Sequence, residues 1–195
     1  MAIKPPKTKK EIISFFTRNY DAIYQATNKE LDIEKPKLKL FNTAQQFNDY
    51  YKENYKELPK YQAAASLDWT IPLILVNLEC HETDKDVFLT LFHELWHLYE
   101  YTHQTPFYPN VPVDLYYQTK PYFIQCFRKT HSELEIPKIL KIVYHPYEVW
   151  AIHFAEAVIP GEIHSISHHY IKELFNIDTK KINQNLTGQI KYYPQ

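Results

Sequence analysis

His93, Glu94 and His97 fall in the pattern His-Glu-x-x-His, two histidines four residues apart with a carboxylate between them. On a helix that spacing stacks both imidazoles on one face, about 6 Å apart along the axis, close enough to grip one metal ion. Zinc takes imidazole nitrogen readily, and Glu94 sits where metal-assisted hydrolysis needs a general base. With 10 histidines in 195 residues the pattern can arise by chance, so its surroundings must carry part of the argument.

Those surroundings predict a helix. From Asp84 to Tyr101 there is neither Gly nor Pro, and Val87, Phe88, Leu91, Phe92, Leu95 and Leu98 recur at helical spacing. Thr83 or Asp84 can cap the first turn, and Asp84 and Asp86 suit its positive end. The plain alternative is a buried amphipathic helix with two incidental histidines. Against it, His93, Glu94 and His97 at a core boundary would bury a carboxylate, which is costly without a partner.

Zinc needs a third protein ligand, and a catalytic site keeps the fourth position for water. His103 follows His97 at the metzincin spacing. Metzincins, however, turn the chain with Gly where Glu100 stands and floor the site with a methionine, and the only methionine here is Met1. Glu148 fits better. It lies in the first turn of a helix expected over Tyr144–Ile159, with Ala151 and Ala155 on nearly the same face to allow close helix approach. Glu156 on that helix is the next choice. His145 precedes the helix, and His153 projects about 140° away from Glu148. The oxygen that orients each histidine from behind is not legible at this stage.

The remaining elements place these two helices in an α+β chain. Glu11–Ala26 and Thr43–Lys56 read as helices, with Lys37–Phe41 as a short strand between them. Ala63–Trp69 reads as a strand and Pro72–Leu78 as a buried one. Thr105–Pro112 is a loop, and a helix is expected from Thr119 to Glu133. Two more follow the Tyr144–Ile159 helix, over Ser165–Phe175 and from Thr179 to Leu186. The length suits a single domain over 1–195, with 102–143 as an insertion between the metal-bearing helices.

Composition narrows the partners. A net charge of −1 and a pI near 6.8 give no electrostatic argument for nucleic acid or an anionic membrane. No apolar run reaches the length of a membrane span, and the start of the chain lacks the apolar core of a secretion signal. Cys80 and Cys126 form no CxxC pair, so a cytoplasmic protein with reduced thiols is expected. Two glycines against 13 prolines leave the turns to Pro, Asn and Asp. Seventeen tyrosines, some in pairs such as Tyr50–Tyr51, Tyr116–Tyr117 and Tyr192–Tyr193, reflect compositional bias or line a peptide groove. His164, His168 and His169 are expected on a solvent-exposed helix face rather than at a second metal site.

Glu148, Ala151, Phe154 and Ala155, followed by Val158 and Pro160, resemble the ExxAxxFA…LLxP segment of the ImmA/IrrE metallopeptidases. Near the end, Phe175, Ile177, Asp178, Ile182, Asn185 and Leu186 are similar to that family's F-x-V-S-x-x-A-V-x-x-R-L, with Asp for Ser and Asn for Arg. The order strand, helix, strand, strand before the His-Glu-x-x-His helix also matches, so the resemblance covers roughly residues 37–186. It implies a minimal zincin fold: a small twisted sheet with an edge strand beside the metal helix, otherwise mainly helical. It also implies Zn2+ held by His93, His97 and Glu148, with Glu94 as the catalytic base. A protein or peptide substrate would lie along the 63–68 edge strand. The implied activity is that of a zinc-dependent endopeptidase cutting a specific intracellular protein, typically a DNA-binding transcriptional repressor. The alternative is a catalytically silent, zinc-stabilised binding or regulatory module of the same fold. Three features depart from the family: the length of 102–143, a spacing from Phe154 to Pro160 one residue short, and Trp96 where a small residue is usual. Tyr147, His145 and His131 compete as a second oxyanion donor.

Overall fold

In a computed structural model, the structure describes residues 8–56, 65–68, 71–103, 111–115, 145–159 and 165–190. The first helix, α1 (Lys9–Leu31), exceeds its expected range at both ends. At its start, the Glu11 N–H donates to the Thr8 hydroxyl (3.2 Å) and the Thr8 N–H to the Glu11 carboxylate (2.9 Å), a reciprocal cap. At its end, Leu31 is fully buried and draws the last turn onto the core. Asp32 then terminates it with φ of 49°, its N–H donating to the Asn28 carbonyl. Lys56 (φ 57°) and Asn176 (φ 57°) end two other helices in the same left-handed conformation. Glycine is the usual choice at such a position, and this chain has only two.

Strands β1 (Lys37–Phe41), β2 (Ala65–Asp68) and β3 (Leu73–Asn77) form a mixed sheet in the order β1-β3-β2. β1 runs parallel to β3 and β2 antiparallel to it, so among the described residues β2 is an edge. Every residue of β3 is buried, and the two faces divide by strand alternation. Ile74 and Val76 enter the main core; Leu73 and Leu75 join Phe41 and Phe47 beneath α2 (Ala44–Tyr55). Tyr50, Tyr51 and Tyr55 of α2 lie half-buried on this cluster, so these tyrosines cover a sheet face rather than line a groove. The Tyr55 hydroxyl donates to Asp68 of β2 at 2.6 Å, tying the edge strand to the helix. The expected strand at 63–69 is described over 65–68 only. Tyr116, Tyr117, Tyr192 and Tyr193, the helix expected at 119–133, and most of the loop at 105–112 lie outside the described residues.

A short turn, Leu78–Cys80, leads to α3 (Asp84–Thr102). Between them the buried His81 joins sheet to helix. Its Nδ1–H donates to the Asn77 carbonyl (2.7 Å), which leaves Nε2 to accept from the Thr90 hydroxyl (2.8 Å). Burial lowers its pKa, in keeping with a neutral ring. Three helices follow: α4 (Pro146–Val158), α5 (Ser165–Phe175) and α6 (Thr179–Ile190). The described residues are thus mainly helical with one small sheet, an α+β arrangement. The last helix outruns its expected end because Ile190 is buried, and it packs on α1. His168 departs from expectation: it is buried, with Nδ1 2.7 Å from the Thr179 hydroxyl, and holds α5 to α6. His169 is exposed as expected, and His164 lies outside the described residues. Among the described residues no helix is long and apolar enough to cross a membrane.

Candidate metal centre

Helix α3 is capped as its sequence requires. Thr83 accepts from the Asp86 N–H (3.2 Å), and Asp86 accepts in return from the Thr83 N–H (2.9 Å). Its apolar face enters the core and turns His93 and His97 toward α4, the element with which α3 makes its most extensive contact. Helix α4 begins at Pro146, where a missing N–H costs nothing, and His145 caps it by accepting from the Tyr147 N–H (3.3 Å). Glu148 therefore sits in the first turn, with Ala151 and Ala155 buried behind it.

The three side chains converge. His93 Nε2 and His97 Nε2 are 2.9 Å apart with their rings perpendicular. Glu148 Oε2 lies 3.2 Å from the first nitrogen and 3.7 Å from the second. Donors on a tetrahedral zinc, with bonds of about 2.0–2.1 Å, stand about 3.3 Å from one another. The three observed separations straddle that value. Two imidazole nitrogens and one carboxylate oxygen are also a donor set zinc accepts, so these residues could hold a metal ion.

The electrostatics follow from crowding these groups at a core boundary. Burial opposes a charge on His93, but its bond to Glu148 and the charges of Glu148 and Glu94 carry its pKa upward. Burial and the neighbouring His93 push His97 down to about 4. Burial would raise Glu148, yet its bonds to both histidines outweigh this and hold it well below the usual carboxylate range. Glu94 is buried beside the triad, and burial, with Glu148 adding and His93 opposing, lifts it to about 7.

The other expected candidates lie elsewhere. His103 closes α3, its Nδ1–H donating to the Tyr99 carbonyl (3.0 Å). Glu156 lies 3.6 Å from His153, and His153 is buried between the Ser167 hydroxyl and the Leu115 carbonyl. Of the oxyanion candidates, Tyr147 stacks flat on His97 (3.8 Å between centroids, 8° between planes), His145 is the cap of α4, and His131 lies outside the described residues. Trp96 is fully buried between Phe154 (5.0 Å) and Phe175 (4.9 Å), so the bulk at this position fills the seam of α3 with α4 and α5.

One residue of the site escapes the sequence reading. Glu100 is buried, with Oε2 3.0 Å from His97 Nδ1. Burial pushes its carboxyl up to about 9 against the pull of the Trp96 indole, with Glu148 adding to the rise. The available signal was its spacing, three residues after His97 on the same helix face. Compared with known proteins, the chain matches no family model, no curated protein and no solved structure.

Proposed function

We propose that this chain is a zinc-dependent endopeptidase of the minimal zincin fold, similar to the ImmA/IrrE metallopeptidases and acting on a protein substrate inside the cell. The observation that carries the reading is the convergence of His93 and His97 of α3 with Glu148 of α4, with Glu94 buried beside them. A purely structural zinc site has no need of an adjacent base and closes its fourth position with protein.

In this reading His93, His97 and Glu148 hold the metal. When bound, zinc acidifies water and polarises the scissile carbonyl. Glu94 takes the proton from the attacking water and delivers it to the leaving amine, which makes the cleavage irreversible in practice. Strand β2 packs against α3 and, among the described residues, has one edge that pairs with no strand, so its backbone offers an extended peptide a partner next to the site. The 63–68 stretch would fix the direction of the substrate, and its side chains the specificity. The implied target is a regulatory protein such as a transcriptional repressor.

The test begins with metal content by mass spectrometry on chain purified without added metal or chelator, wild type beside Glu148→Ala. One zinc per chain, lost or sharply weakened in the variant, is the expected result. Glu94→Gln should then retain zinc while losing cleavage by a factor of about 10²–10⁴. A chain that takes up no zinc on titration refutes the hydrolase reading. An unchanged cellular role in Glu94→Gln would point to the silent, zinc-stabilised module instead.

A further inference from the structure

We infer that Glu100 is a positioning residue for the metal centre: it accepts the Nδ1–H of His97 and so presents the Nε2 of that ring to the metal. This rests on the zinc reading above and deepens it. The geometry is direct. Glu100 Oε2 lies 3.0 Å from His97 Nδ1, and Nε2 of the same ring points into the cluster, 2.9 Å from His93 Nε2 and 3.7 Å from Glu148 Oε2. A ring that coordinates through Nε2 while neutral must carry its proton on Nδ1, so the Glu100 oxygen can only accept there.

Two further contacts lock the arrangement. The Tyr147 ring lies flat on the His97 imidazole at 3.8 Å and limits its tilt. The buried Trp96 indole lies near enough to Glu100 to affect its proton affinity, and Trp96 is itself wedged between Phe154 and Phe175. His97 is thus fixed at its edge and its face. His93 differs: its side chain is one-fifth exposed, and among the described residues it meets Glu148 and His97 through Nε2 and the ring. Among the described residues the two histidines are therefore held unequally, His97 the more firmly. Glu100 occupies a buried position in the last turns of α3 where a carboxylate is costly without such a task.

The test uses the full chain loaded with Zn2+, as wild type, Glu100→Gln and Glu100→Ala. Zinc affinity is read by competition with a chromophoric chelator, and the histidine ring protons by nitrogen-15 NMR. Glu100→Ala should weaken zinc binding about 10–100-fold, and Glu100→Gln, whose amide oxygen still accepts, should recover most of that loss. In wild type the His97 Nδ1–H should exchange slowly with solvent and that of His93 quickly, and the protection of His97 should vanish in Glu100→Ala. A folded Glu100→Ala with wild-type affinity, a Gln variant as weak as the Ala one, or a His97 that coordinates through Nδ1 in wild type would each overturn the inference. The wild-type spectrum decides the last point even if Glu100→Ala does not fold. Wild type without zinc affinity would instead sink the zinc reading, and the inference with it.

Discussion

Replacing Trp96 by Ala should cost the chain about 3–5 kcal/mol of stability and loosen the metal centre with it. Trp96 is fully buried, with its ring 5.0 Å from Phe154 of α4 and 4.9 Å from Phe175 of α5. A buried Trp removes roughly 150–250 Å² from water, worth about 4–6 kcal/mol at ~25 cal/mol per Å². Ala retains a small part of this, and the vacated space adds a cavity penalty to the extent that α4 does not settle into it. Against a typical domain stability of about 5–15 kcal/mol the loss is large. Trp96→Phe keeps a ring in the seam and should lose roughly half as much. Urea denaturation followed by far-UV circular dichroism measures both, because helix content reports unfolding independently of the missing indole. Zinc affinity should fall in the same order, since Glu148 depends on the seating of α4 against α3. A loss below about 1 kcal/mol in Trp96→Ala, with an unchanged denaturant slope, would refute the idea that this ring holds the two helices together.

Asp84, in the first turn of α3, is buried and has one carboxylate oxygen without a hydrogen-bond partner. Burial raises its pKa from 3.8 to about 6, despite the opposing backbone N–H groups of Asp84 and Lys85. Because the folded chain binds this proton more tightly than the unfolded one, stability falls as pH rises from about 4 to 6, and the penalty, about 2–3 kcal/mol, persists above that window. Asp84→Asn should therefore be the more stable protein at pH 7 and nearly equal to wild type below pH 4; a difference independent of pH would count against the assignment. Lys56 is exposed and holds φ at 57°, where a side chain costs about 1–2 kcal/mol. Lys56→Gly removes that strain but adds unfolded-chain entropy of about 0.5–1 kcal/mol, for a net gain of about 0.5–1 kcal/mol in thermal or urea unfolding.

The helices that carry His93, His97 and Glu148 were legible because their signals are local. Helical spacing of apolar residues, a Thr cap and the absence of Gly and Pro define α3, and a Pro at the first turn defines α4. Glu148 could be singled out because Ala151 and Ala155 follow it at i+3 and i+7 on nearly the same face. What the sequence withheld depends on contacts between elements. Helix α1 runs past Ala26 because Leu31 finds a buried place, which no window on that segment reveals. His168 looks like a surface residue until α6 brings the Thr179 hydroxyl to it. Tyr50 and Tyr51 read as compositional bias or a groove lining, but β3 lies beneath them, and its two faces serve two separate clusters. Glu100 was hidden differently: its spacing from His97 was plain, but only burial turns that spacing into a task.

The long connection from Thr102 to Pro146 is compatible with a candidate metal site built on the two helices it joins. The entropic cost of joining two fixed points grows only slowly with chain length, about 0.6 kcal/mol for each doubling, so a long connection is tolerated where its ends are held. They are. His103 donates to the Tyr99 carbonyl at the exit from α3, and His145 accepts from the Tyr147 N–H at the entry to α4. Within the connection a further tie is visible, for Leu115 is fully buried and its carbonyl accepts from His153 Nε2 at 3.3 Å. In the neutral ring His153 Nδ1 then accepts from the Ser167 hydroxyl, so one histidine of α4 fastens both the insertion and α5. The histidines at 103, 145 and 153, each a candidate ligand by sequence, thus act as structural ties around the cluster of His93, His97 and Glu148, which could hold a metal ion. Both ring nitrogens of His153 meet a hydroxyl or backbone partner, and His103 and His145 each meet the backbone through Nδ1, so among the described residues the side chains that could hold a metal ion are those of His93, His97 and Glu148.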